Sequence, residues 1–477
     1  MKAHLAATGY WEISGTDTKY HGDLYLNEKE GAIFLYIRVP NNGSPGSYLK
    51  VPLEIDYIDG TAINGAKMTL LDCSRISMKS QVGVEDVYGY QAKFMLENVS
   101  FEKKEDIVFS RLQIQMPGII KWGAKSNYGI PEKGKYESVI NFQEIEPVSI
   151  HSDKEYDLSY SLIPSLPFFD FMKEEIKLKQ FPYLIIESKK AQSLEWFLEI
   201  ASKMKNMIEI AMGTPLAFGK MIAESPSVTW NIEGEVERKK AIEIMHFLLS
   251  DNENEDKENQ ENNFLFNLLE LHENGDFSRW QNVSALMEPI IELYIDDLYN
   301  QNLSISRHFL NMIQALETYH SRMICNGNLN DYKRRVEEVI SIRPNGFKPG
   351  DREFLIGKSQ KFITLGNRVS DLLVADFKIH FYTGDIKFLN FPKVISDTRN
   401  YYTHYNPKLE GKALKDDKLV TVYYILRNML EYYLLRELGF NEEFIGNRIN
   451  DRIKPIKISN DIKRTEENRK KEIGKKS

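Results

Sequence analysis

Apolar residues in the first half of the chain recur in short alternating runs, not at helical spacing. In HGDLYLNEKEGAIFLYIRVP, residues 21–40, two such runs flank the turn-rich NEKEG, a pattern that predicts a β-hairpin. Further strand-like runs lie at 48–58, 67–71, 90–96, 107–116 and 138–142, punctuated by clusters such as NNGSPGS at 41–47. Many short strands at this spacing predict an antiparallel sandwich or barrel, and we take the domain as sandwich-like. After Pro182 the texture changes. A short apolar strand at 183–187 precedes a helix over 193–212, where Leu194, Phe197, Leu198, Met204, Met207 and Ile208 fall near helical spacing before Gly213 and Pro215 stop it. Beyond residue 262 the period is helical throughout. Helices are expected at 263–272, 284–299, 306–325, 331–340, 353–365, 369–382, 393–405 and 414–438, with stripes such as Phe309, Met312, Ile313, Leu316 and Tyr319 forming core. The expected class is α+β multidomain, a β-rich front end followed by an all-α bundle.

Between the halves lies DNENEDKENQEN, residues 251–262, with six acids, one lysine and no large apolar side chain. Such a segment cannot bury a core-facing surface and reads as a solvated linker. The resulting organisation is a β-rich domain over 1–250, the acidic linker 251–262, a helical domain over 263–450 and a basic tail over 451–477. No internal repeat is visible.

A composition of 42% hydrophobic, 12% aromatic and 27% charged residues argues against wholesale disorder. Cys73 and Cys325, far apart in sequence, argue against a disulfide framework and fit a reducing cytoplasm. The N-terminus MKAHLAATGYWEIS lacks an apolar secretory core, and no apolar run approaches the roughly 20 residues of a membrane helix. The formal charge of −7 speaks against a nucleic-acid partner only until it is resolved along the chain: from Arg452 onward ten Lys/Arg stand against four Asp/Glu. That tail could track RNA, but its interspersed glutamates favour a frayed, soluble terminus.

Most familiar chemistry is missing. GTPLAFGKM at 213–221 and IGKS at 356–359 imitate phosphate loops without their glycine spacing, and Asp276 stands where a zinc-protease helix beginning at His272-Glu273 needs its second histidine. No metal cluster is expected. Asp170, Glu187 and Lys189 mimic the Asp…Glu-x-Lys layout of metal-dependent nucleases, although the Lys189 region also reads as a charged strand-to-helix turn.

The segment with distinct chemistry is ISDTRNYYTHYNP at 395–407. Arg399, Asn400 and His404 form R-N-x-x-x-H beside three tyrosines. Ser396 or Asp397 offers an N-cap and Pro407 discourages helix beyond Tyr405, which places the motif near a helix start. Asn400 and His404 would share a face, whereas Arg399 and His404, five apart, differ by about 140° on a regular helix. Arginine, amide groups and a helix N-terminus suit a phosphate, and histidine supplies a proton acceptor near neutral pH. The plain alternative is a surface arginine pairing with Asp397 and a packed histidine. Tyr401 and Tyr402 could stack on bases or fill core. Glu317 reads equally as a secondary site residue and as an intrahelical partner of His320.

With the helical run LVTVYYILRNMLEYYLLRELGF at 419–440, the R-N-x-x-x-H segment resembles a HEPN ribonuclease domain. FLNMIQALETYHSRM at 309–323 is similar to the corresponding helix of the ApeA group, and GYWEISG at 9–15, MTLLDC at 68–73 and 193–215 resemble an ApeA N-terminal domain. The resemblance implies an anti-phage protein of abortive-infection type that cleaves RNA without a metal or other cofactor. It implies a composite site in a homodimer, with His404 as general acid or base, Arg399 on the phosphate and Asn400 orienting one of them. It further implies a front domain that senses or regulates, with a phage-derived trigger as its partner. A catalytically silent scaffold binding RNA or protein, and a metal nuclease using Asp170, Glu187 and Lys189, are the competing classes.

Overall fold

In a computed structural model, residues 4–14, 18–27, 31–41, 51–81, 84–101, 103–128, 142–230, 238–247, 264–324, 334, 338, 341, 363–374, 377 and 390–452 are described. The acidic segment 251–262, tail residues 453–477 and most of the strand expected at 138–142 and of the helices expected at 331–340 and 353–365 lie outside them. The chain divides into two compact units: Met1–Lys205 with Leu216–Glu258, and Asn206–Pro215 with Asn259–Ser477.

The first unit begins with β1 (His4–Ile13), β2 (Lys19–Asn27), β3 (Ala32–Pro40), β4 (Glu54–Ala62), β5 (Lys67–Gln81) and β6 (Glu85–Glu97). The hairpin expected at 21–40 is β2–β3, with Asn27 opposite Ala32. Along β3 the pleat sends Ile33, Leu35, Ile37 and Val39 inward, where all four are buried. The strands neighbour one another in the order β3-β2-β1-β4-β5-β6, and β6 then pairs with β3 from Ala92–Ile33 to Glu85–Pro40. This closes a six-stranded barrel. The sandwich-like expectation therefore does not describe these strands; periodicity identifies a buried face but not which distant strand completes the ring. Length makes closure possible. β5 and β6 span 15 and 13 residues, β5 carries a bulge between Arg75 and Ser77, and beyond Ala92 β6 leaves β3 for a new partner.

Side chains fill the barrel. Trp11 is fully buried and its indole N–H donates to the Gly22 carbonyl (3.2 Å). Trp11 sits opposite Gly60, where a Cβ would come within 2.3 Å of the indole ring; only glycine lets the ring cross that strand. Asp59, half-buried on β4, accepts from the Thr69 hydroxyl (2.5 Å) and the Phe101 amide (3.4 Å). Burial outweighs these bonds and pushes its carboxyl up to about 6. A carboxyl raised on folding binds its proton more tightly in the native state, so its contribution is present below pH 4 and is lost as pH rises through about 6. Asp59→Asn keeps the accepting oxygen without the charge. It is expected to raise stability at pH 7 by on the order of 1–2 kcal/mol and to flatten the pH 4–6 slope in thermal melts; an unchanged slope would contradict this.

From β6 the sheet continues through β14 (Arg238–His246), β13 (Met221–Trp230), β7 (Phe109–Gln115), β12 (Gln180–Gln192), β9 (Tyr156–Pro164) and β8 (Val148–Ser152). β10 (Phe168–Asp170) and β11 (Glu175–Lys177) form a separate hairpin. Helix α1 (Leu194–Met212), the one expected at 193–212, belongs to the first unit up to Lys205 and to the second from Asn206, and it buries Leu194, Phe197, Met204, Met207 and Ile208.

The second unit contains α2 (Leu268–Asn274), α3 (Phe277–Tyr299), α4 (Ile305–Tyr319), α5 (Leu365–Leu372), α6 (Phe391–His404), α7 (Asp416–Glu437) and α8, residues 442–452. Of the helix expected at 369–382, residues 375–376 and 378–382 lie outside the described residues; α5 starts earlier, at Leu365, where the Thr364 side chain caps it, and ends at Leu372. α7 is its central element, buried on nearly every side from Val422 to Leu435, and α4 packs on both α3 and α7. Asp297, Glu437 and Glu431 are carboxylates buried with partners. Asp297 bonds to His308 (2.6 Å) and the Tyr423 hydroxyl (2.7 Å). Glu437 accepts from Tyr319 (2.8 Å) and meets Arg279 at 3.4 Å. Glu431 accepts from Arg427 (3.0 Å), both oxygens face Arg452 (2.8 and 2.9 Å), and Tyr294 donates at 2.7 Å. Burial works to raise the Glu431 carboxyl, but the two guanidiniums outweigh it and hold it below the ordinary range. Among the described residues no helix is long and apolar enough to cross a membrane.

Candidate active site

α6 carries the R-N-x-x-x-H segment, but not near its start. The helix begins at Phe391 with Pro392 in its first turn, where a fixed φ and a missing N–H cost nothing. Phe391, Ile395 and Thr398 form its buried stripe. That stripe and the proline override Ser396 and Asp397 as caps, so the expectation that the motif sits near a helix start fails. Arg399 lies in the second half of the helix and His404 is its last residue.

Arg399 is partly buried and turned toward α4. Its Nη2 meets Glu317 Oε2 at 3.4 Å, and its Nη1 donates to Asn400 Oδ1 at 3.3 Å. The Thr403 hydroxyl back-bonds to the Arg399 carbonyl (2.8 Å). Arg399, Asn400 and Glu317 are thus brought together. Glu317 pairs across helices with Arg399, not along its own helix with His320. His404 is exposed, and on a continuous helix it points about 140° away from Arg399. On a regular helix the two side chains therefore leave from different faces.

Tyr405 ends the helix in the left-handed conformation (φ 48°, ψ 39°), its N–H donating to the Tyr401 carbonyl (2.6 Å). The Tyr402 hydroxyl donates to the Leu414 carbonyl (3.0 Å), and its ring lies 6.4 Å from Phe309; burial raises its pKa above the usual tyrosine value. Tyr402 is thus held in place by its neighbours. Tyr401 lies edge-on to Tyr402 (5.1 Å) and Tyr405 (5.8 Å), with the Lys415 ammonium 5.6 Å from its ring centre.

A neighbouring polar cluster has no local signature in the sequence. α4 ends in a π-turn, His320–Ile324, whose first residue is fully buried. His320 Nε2 lies 2.9 Å from Asp371 Oδ2 on α5, and Arg368 Nη1 lies 3.4 Å from His320 Nδ1 and 3.5 Å from the Glu317 carbonyl. The contacts span about fifty positions, which no spacing rule anticipates. Only the π-turn, a distortion frequent at functional sites, marks the place.

The nuclease-like trio goes to separate partners. Glu187 on β12 pairs with Arg111 (2.9 Å), Lys189 with Asp157, and Asp170 on β10 lies 4.0 Å from Lys177. Among the described residues no group of three or more His, Cys, Asp or Glu is placed to hold a metal ion.

Two family models match the chain: ApeA N-terminal domain 1 over residues 6–280 and Apea-like HEPN over residues 310–444. No curated protein and no solved structure matches it. The second match contains Glu317, Arg399, Asn400 and His404 together.

Proposed function

The chain belongs to the ApeA family, with an ApeA N-terminal domain followed by an Apea-like HEPN domain, and from that premise we propose that it is an anti-phage endoribonuclease that needs no metal. The observation that carries this reading is the R-N-x-x-x-H motif on α6, inside the HEPN match, with an oriented Arg399 and an exposed His404. The divergence of the two side chains on one helix favours a composite site in a homodimer, which offers a second copy of each.

In the proposed reaction His404 accepts the proton of a ribose 2′-hydroxyl, and the resulting oxygen attacks the adjacent phosphorus. The bond from phosphorus to the 5′-oxygen breaks, and that oxygen leaves with a proton from a histidine. Products are a 2′,3′-cyclic phosphate and a 5′-hydroxyl end. Arg399 stabilises charge on the phosphoryl oxygens, and Asn400 and Glu317 fix its guanidinium. The β-rich domain is proposed to regulate this activity by sensing a phage-derived trigger.

Labelled RNA and DNA of one sequence, incubated with the protein in EDTA, test the reading. RNA is expected to be cut and DNA, which lacks the nucleophile, to remain intact. Arg399→Ala is expected to lower the RNA cleavage rate by about 10²–10³-fold, as loss of a transition-state charge partner does. Cleavage of both polymers, or a dependence on Mg2+, would overturn it.

A further inference from the structure

We propose that Tyr405, backed by Tyr401, is a stacking subsite for an unpaired nucleobase beside His404; the inference deepens the ribonuclease reading and rests on it. The position after a helix in left-handed conformation is ordinarily glycine or asparagine, because a Cβ there crowds the backbone. Here a bulky tyrosine occupies it at φ 48° and remains 67% exposed. The strained backbone and the exposed ring coincide one residue beyond His404. The inference runs from that outlier to a role.

The ring has a firm base. Tyr401 meets Tyr405 edge-on at 5.8 Å and is itself braced by Tyr402, whose hydroxyl is fixed to Leu414. The chain then leaves through the Asn406–Pro407 turn, where the Asn406 side chain accepts from the Lys408 amide (3.1 Å). Exposed Lys408, Lys412 and Lys415 lie on this connection, with Glu410, Asp416 and Asp417 also present and Lys415 paired to Glu410 (3.1 Å). Carboxylates this close to the lysines keep the connection from acting as a broad phosphate track. The aromatic face is left as the recognition element. A π-face takes any base, but only one already out of its duplex, so the subsite selects single-stranded RNA or loops.

The test uses the full-length His404→Ala protein, which binds without turnover, and a short fluorescein-labelled single-stranded RNA followed by anisotropy. Adding Tyr405→Gly is expected to weaken binding about tenfold, while Tyr405→Phe retains it. Binding of a duplex of the same sequence is expected to be unchanged. The thermal midpoint of Tyr405→Gly is expected not to fall, because glycine accepts this backbone conformation; a packing role would lower it instead. Tyr405→Asn, which also tolerates the conformation, should reproduce the loss. Single-strand binding indifferent to Tyr405→Gly, an equal loss for duplex, or no RNA binding by the parent overturns the subsite. Tyr405-dependent binding without RNA cleavage by wild type overturns the ribonuclease reading and leaves the subsite standing.

Discussion

Replacing His404 with alanine is expected to slow RNA cleavage by roughly 10²–10⁴-fold, the range that a single general acid–base group supplies. The side chain is exposed at the last position of α6, so its removal leaves no cavity and strips no buried partner. Alanine is also a better helix former than histidine, so the thermal midpoint should stay close to wild type. Activity and stability thus separate, which distinguishes a reacting group from a packed histidine. Single-turnover cleavage alongside a thermal melt reads both. A variant within a few-fold of wild type in rate would remove His404 from the chemistry.

The second large effect concerns the platform. Glu431 is fully buried on α7 and holds Arg427 of its own helix and Arg452 of α8, with Tyr294 of α3 completing its bonds. Glu431→Ala leaves two guanidiniums without their carboxylate in a site largely closed to water. Breaking such a buried pair costs about 3–5 kcal/mol, a large share of a domain's stability. The thermal midpoint of the helical unit should fall by on the order of 10 °C. Replacing Glu431, Arg427 and Arg452 together with apolar residues of similar volume should recover much of that loss, because the cost lies in the uncompensated charge. A melt of Glu431→Ala within about 2 °C of wild type would contradict the role of the network.

What the sequence disclosed follows from how local each signal is. The β2–β3 hairpin and α1 were legible because their alternation and helical stripe are complete within about twenty residues. β13 was not, since Met221–Trp230 contains Glu224, Pro226 and two serines that read as loop, and its partners supply the burial. Barrel closure was not either, because the β3–β6 pairing joins strands about fifty residues apart. In the site, Arg399, Asn400 and His404 lie within six residues and stood out together. Their place on the helix did not, because Ser396 and Asp397 are good caps by type and lost to Pro392 and the buried Phe391. Glu317 was visible as a candidate beside His320, but its partner Arg399 came from tertiary packing. His320, Arg368 and Asp371 meet only in the folded unit.

The chemistry of newly formed RNA ends is the most direct measure of the central proposal. RNA cut by the wild-type protein in EDTA should carry 2′,3′-cyclic phosphates and 5′-hydroxyls, and neither end should accumulate with the His404→Ala protein. Ends bearing 5′-phosphates and 3′-hydroxyls, or equal accumulation with both proteins, would contradict it.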